Sequence, residues 1–126
     1  MLWRVRLSRD SVRIIAGEFR GRNLETPPRS DAHVMGERER GAIFNALFSL
    51  GGLDGARVLD YFAGSGALGL EAISRGAASV DFVENNPKTL AIIKKNIANT
   101  TKKDETAMLT IIPFLVFIRF SCQKKD

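Results

Sequence analysis

The chain has 126 residues, 44% hydrophobic and 26% charged, which fits one folded domain and excludes a disordered or fibrous chain. Nineteen Lys and Arg against 14 Asp and Glu give a net charge of +5 and a pI near 9.8, a balance that favours an anionic partner such as nucleic acid. The single cysteine, Cys122, excludes an internal disulfide framework and suits a reducing cytoplasm. The most apolar run, residues 108–120, is shorter than the roughly 20 residues that cross a bilayer as a helix, so no membrane association is expected.

In chain order, residues 1–30 form an arginine-rich segment without an apolar signal core. Val12 to Gly17 reads as a short strand closed by glycine, and Arg20 to Thr26 as its return. Together they predict a small basic β-hairpin, ended by Pro27 and Pro28. From Glu37 to about Leu50, Ile43, Phe44, Leu47 and Phe48 recur at helical spacing, predicting one apolar face. Gly51 and Gly52 suit the end of that helix. His33, the single histidine, reads as a surface residue. No His, Cys, Asp or Glu cluster has metal-ligand spacing, so no metal is expected.

From Gly55 to about Thr100 the pattern is β-α-β-α. Ala56 to Phe62 is a strand, a glycine-rich turn opens a helix to about Arg75, and Ser79 to Glu84 is a second strand. Asn86 then serves as N-cap and Pro87 as the first position of a helix whose buried face is Leu90, Ile93 and Ile97. Such alternation predicts a parallel sheet with right-handed crossovers. Residues 31–100 therefore read as one Rossmann-like portion, and residues 101–126 as an atypical tail. In the tail a polar link precedes an apolar run, Leu109 to Ile118, which Pro113 interrupts. Proline does not suit a central strand, so this run is expected to supply at most one poor replacement strand. The sheet edge would then stay uncovered, and marginal stability is the expectation.

Gly64-Ser65-Gly66-Ala67-Leu68-Gly69 is a G-x-G-x-x-G between a strand and a helix. Gly64 permits the tight turn, Gly66 lets backbone approach a ligand, and Gly69 lets the helix pack close to the strand. Glu84 ends the second strand, placed to accept hydrogen bonds from both ribose hydroxyls of an adenosine cofactor. Nicotinamide dinucleotides and S-adenosylmethionine (SAM) both satisfy this spacing. Asp60, four residues before Gly64, favours SAM: a carboxylate there suits a methionyl amine and opposes a pyrophosphate on the helix N-terminus.

The run from Val58 to Ala77 closely resembles the first motif of the RsmD family, SAM-dependent guanine-N2 methyltransferases of 16S ribosomal RNA. Arg13 to Arg22 is similar to that family's opening, Arg38 to Asn45 to its helix before the first motif, and Phe82-Val83-Glu84 to its second cofactor motif. The resemblance implies the N-terminal portion of a class I SAM-dependent methyltransferase (Rossmann-like) α/β fold. It further implies a SAM pocket of Asp60, Phe62, Ala63, Gly64, Ser65, Gly66, Gly69, Glu84 and Asn85. Arg13, Arg20 and Arg22 would contact the RNA backbone, with 16S rRNA or the small ribosomal subunit as partner and a monomer as the acting species.

The family's Asp/Asn-Pro-Pro-Tyr/Phe motif, which holds and stacks the target base, has no counterpart. The one Pro-Pro pair, Pro27-Pro28, follows Thr26 and precedes the glycine loop, so no catalytic residue is assigned. Likeness to the family gives out near Thr100, which suggests a frameshift or unrelated end beyond it, and residues 1–11 precede the family's usual opening, which makes Val12 a candidate start. Two other readings stay open: an inactive remnant binding SAM or RNA, and a nicotinamide-dependent oxidoreductase.

Overall fold

The computed structural model describes residues 11–28, 35–61, 64–100, 107–112 and 115–121, the last two segments by backbone alone. The first pair of strands is β1 (Ser11–Arg13) and β2 (Asn23–Glu25), antiparallel with Val12 opposite Leu24, so the predicted hairpin is present with shorter strands. Its pairing continues through the Ile14 N–H, which donates to the Arg22 carbonyl at 3.0 Å. Ile14, Phe19 and Leu24 are buried in the main hydrophobic cluster. The hairpin is thus part of the core and not a solvated arm.

Helix α1 (Glu37–Ser49) carries Glu37 and Glu39 in its first turn, where acids oppose the helix dipole favourably. Its apolar spacing predicts one covered face, and here the structure differs. Phe44 is buried, but Ile43 is 40% and Phe48 78% exposed. The side of α1 that packs on the hairpin and the next helix holds Phe44 and Arg40 instead, and Arg40 is fully buried.

Strand β3 (Arg57–Tyr61), helix α2 (Ala67–Ser74), strand β4 (Ser79–Glu84) and helix α3 (Pro87–Thr100) follow as the pattern predicts. β3 and β4 run parallel, with Asp60 opposite Phe82. Leu70, Val80, Phe82 and Ile93 are completely buried between α2, α3 and the sheet; burying a side chain of this size contributes about 1.5–3 kcal/mol. Gly69 is what allows α2 to lie so close. A Cβ there would come within 2.3 Å of the Phe82 ring and 2.7 Å of Val80.

The tail departs from expectation. It forms two strands, β5 (Ala107–Ile112) and β6 (Leu115–Ser121), antiparallel to each other. Pro113 lies outside the described residues. Only residues 113 and 114 separate the two strands, a link too short for anything but an antiparallel pair. β6 then pairs antiparallel with β4, Glu84 opposite Val116, giving the mixed order β3-β4-β6-β5. The all-parallel expectation holds for β3 and β4 alone. Among the described residues no strand pairs with the outer edge of β3, and no helix is long and apolar enough to cross a membrane.

Candidate cofactor site

Parallel strands end at the same edge of a sheet, so the C-terminal ends of β3 and β4 bring the glycine loop and Glu84 together. The Gly64 N–H donates to Glu84 Oε2 at 3.1 Å. The other oxygen, Oε1, accepts from the Asn85 and Asn86 N–H groups at 3.0 and 3.1 Å. A loop and a carboxylate separated by 20 residues are thereby one unit. Gly64 and Gly66 both sit at positive φ, +54° and +81°, where other residues are strained. The missing Cβ of Gly66 faces inward, 3.4 Å from Phe82 and 3.5 Å from Ile93, so its second role is packing and not only access for a ligand. Asn86 caps α3 as predicted, Oδ1 accepting the Lys88 N–H at 3.0 Å. Phe62 and Ala63 lie outside the described residues, as does His33.

Asp60 sits below the loop, 6% exposed, with Oδ2 accepting the Gly69 N–H at 3.0 Å. Burial pushes its carboxyl up to about 6; the Gly69 N–H opposes that rise and the charge of Glu84 adds to it. Asp60 also lines an apolar groove with Ile43, Phe44, Leu47, Leu68 and Ala72, so α1 borders the site. On α1, however, Arg38 and Asn45 are exposed.

The three arginines assigned to RNA differ in their surroundings. Arg20 is exposed. Arg13 pairs with Glu37 at 3.3 Å on the surface. Arg22 lies over the Phe19 ring and donates from Nη1 to the Asn99 carbonyl near the end of α3, at 3.1 Å, where a cation also complements the helix dipole.

The three largest of the buried polar residues missed by the sequence reading are Glu71, Arg40 and Asn96. Glu71, completely buried, accepts the Ile15 and Ala16 N–H groups at 2.8 and 3.1 Å and Arg75 Nε at 2.8 Å. Arg40 donates from Nη2 to the Arg13 carbonyl at 2.6 Å, and its Nε and Nη1 meet no acceptor among the described residues. Burial holds this guanidinium below its usual range, with Glu71 and Glu37 acting against that. Asn96 is the third. The available signal was an acid or amide set among apolar neighbours, as Asn96 is between Ile93 and Ile97.

The family model described as conserved hypothetical protein 95 matches residues 12–119, reaching past Thr100, where the sequence motifs give out. Ribosomal RNA small subunit methyltransferase D of Escherichia coli strain K12 is 41% identical over 87 residues, 69% of this chain and 43% of that protein. Its Haemophilus influenzae counterpart is 37% identical over 100 residues, 79% of this chain and 51% of that one. The chain belongs to the RsmD family. It spans about half the length of the curated relatives it matches. A hypothetical protein of Thermus thermophilus, of known structure, superimposes with a TM-score of 0.61 at 39% identity, covering 71% of this chain and 50% of the other. A putative methylase of Haemophilus influenzae superimposes with a TM-score of 0.55 at 36% identity, covering 75% of this chain and 47% of the other, and the α/β arrangement of this RsmD-family chain is the Rossmann-like methyltransferase fold.

Proposed function

We propose that this RsmD-family chain binds SAM at the glycine loop and serves methylation of the exocyclic N2 of a guanine in 16S ribosomal RNA, a cytoplasmic substrate. The observation that carries this reading is the contact between the Glu84 carboxylate and the Gly64 amide, 3.1 Å apart. The residues fit a nucleoside. A carboxylate offers about four lone-pair sites, and Gly64, Asn85 and Asn86 use three of them. A ribose diol engaging both oxygens takes the free site on Oε2 and shares Oε1 with the Asn85 or Asn86 N–H. Asp60 supplies a negative charge for a cationic methionyl amine, and Arg20, with Arg13 and Arg22, offers charge to the RNA backbone. When bound, SAM supplies an activated methyl group, so holding donor and acceptor in place is the main task left to the protein.

A binding-only reading has one observation in its favour: the sequence contains no Asp/Asn-Pro-Pro-Tyr/Phe motif. Titration calorimetry with SAM and, separately, with NADH tests the cofactor. SAM should bind, and Glu84→Ala should weaken it about tenfold or more, the worth of a charge-assisted hydrogen bond. Binding of NADH but not SAM, or unchanged affinity in Glu84→Ala, would sink the reading. Transfer of labelled methyl to small ribosomal subunits then separates turnover from binding alone.

A further inference from the structure

Asn96 is 1% exposed on the buried face of α3. An amide so placed is costly unless every polar atom is satisfied, and here the satisfaction is complete. Oδ1 accepts the Glu25 N–H at 2.8 Å; Nδ2 donates to the Glu25 carbonyl and to the Ser65 carbonyl, both at 2.8 Å. Two carbonyls on one side and one N–H on the other fix which way the carboxamide faces, since the flipped amide would set oxygen against oxygen. One side chain therefore joins strand β2 of the basic hairpin to the middle residue of the glycine loop.

The consequence follows from peptide geometry. In a planar trans peptide the C=O and N–H point in opposite directions. With the Ser65 carbonyl turned inward to Asn96, the Gly66 N–H of the same peptide points away from α3. The loop does not impose this by itself. Turning over the Ser65–Gly66 peptide changes ψ of Ser65 and φ of Gly66, and glycine at 66 tolerates either sign of φ, so the peptide can invert at little steric cost. The hydrogen bond from Asn96 selects one orientation, and the backbone of β2 holds Asn96 in place to do so.

We propose that Asn96 is a positioning residue for the cofactor: it braces the Ser65–Gly66 peptide against the hairpin so that the Gly66 amide is presented outward from the loop. The proposal rests on the reading of this loop as a SAM site. Asn96→Asp keeps the size and the acceptor and removes both donors. Ser74→Ala is the control. Ser74 also ties the hairpin to the body, Oγ accepting the Phe19 N–H at 2.9 Å and donating to the Ala16 carbonyl at 2.6 Å, but it does not touch the loop.

Both full-length variants are compared with the parent by calorimetric titration with SAM, thermal melting and amide hydrogen exchange. Asn96→Asp should weaken SAM about tenfold and speed exchange at residues 64–69. Ser74→Ala should lose melting temperature yet keep SAM affinity within about twofold, as expected for a site with no shared partner. Parental affinity in Asn96→Asp, or equal weakening in Ser74→Ala, overturns the proposal and leaves Asn96 a structural residue. If the parent binds no SAM, the cofactor reading fails, and exchange decides the bracing alone: faster exchange confined to residues 64–69 supports it, unchanged exchange overturns it. Should Asn96→Asp not fold, Asn96→Ser, smaller and uncharged, carries the same test.

Discussion

The carboxyl of Asp60 is raised from 3.8 to about 6 mainly by burial, so between about pH 4 and 6 the folded chain holds a proton there that the unfolded chain has lost. The protonated form stabilises the fold at low pH. Stability is expected to fall between about pH 4 and 6 and to stay lower above that, by on the order of 2–3 kcal/mol. Asp60→Asn keeps an acceptor for the Gly69 N–H and removes the charge. It should therefore melt higher than the parent at about pH 7.5, with the gain vanishing below about pH 4, while binding SAM more weakly. A gain of equal size at both pH values would show that ionisation of Asp60 is not its source. Carboxylates with strongly shifted pKa values cluster at functional sites, which agrees with the role proposed for Asp60. Asp60, Gly64, Gly69 and Glu84 were legible in the sequence because motif spacing marks them. Glu71 and Asn96 were not, since a polar residue in an apolar stripe reveals its purpose only when backbone groups from elsewhere in the chain arrive to pair with it.

At the level of elements, the hairpin and α2 are joined through backbone groups. Besides the Glu71 and Ser74 contacts, the Glu18 N–H donates to the Ser74 carbonyl at 2.8 Å. Gly17 makes this approach possible: a Cβ there would lie 1.9 Å from the Ser74 carbonyl oxygen and 2.4 Å from its carbon. Backbone cannot give way as a flexible side chain does, so Gly17→Ala should destabilise by on the order of 3 kcal/mol. Gly21 has nearly the same φ, +84° against +88°, but open space around it. Gly21→Ala should cost only the left-handed penalty of about 1–2 kcal/mol, and urea titration of both variants separates crowding from strain. Equal losses would remove the close approach as a cause. The β-α-β-α run and its Asn86 cap were readable because each boundary has its own local signal. The β5–β6 hairpin was misread because Pro113 was taken as an interruption inside one strand, whereas there are two strands, one ending at Ile112 and the next starting at Leu115.

For the whole molecule, the question is what covers β3. Leu59 and Tyr61 are 60% and 55% exposed, and Phe48 and Leu50 on and after α1 are 78% and 85% exposed. Helical spacing had suggested a covered face for Ile43 and Phe48, but spacing shows only that residues share a side, not that anything packs there. Among the described residues the outer edge of β3 is unpaired, and such an edge beside exposed apolar side chains favours non-specific association. The chain, expected to act as a monomer, should therefore melt below about 60 °C and scatter light increasingly as it unfolds. Leu59→Lys places a charge on the exposed face of β3, one of the devices by which sheet edges are kept from pairing. Because Leu59 is already mostly solvated, the substitution should change stability by no more than about 0.5 kcal/mol while lowering scattering at matched concentration and temperature. If instead Leu59→Lys lowers the melting temperature sharply with scattering unchanged, Leu59 is covered in solution and the outer face of β3 is not the source of association. A cooperative transition well above about 60 °C would show that the mixed sheet, extended beyond β4 by β6 and β5, is stable with the outer edge of β3 unpaired.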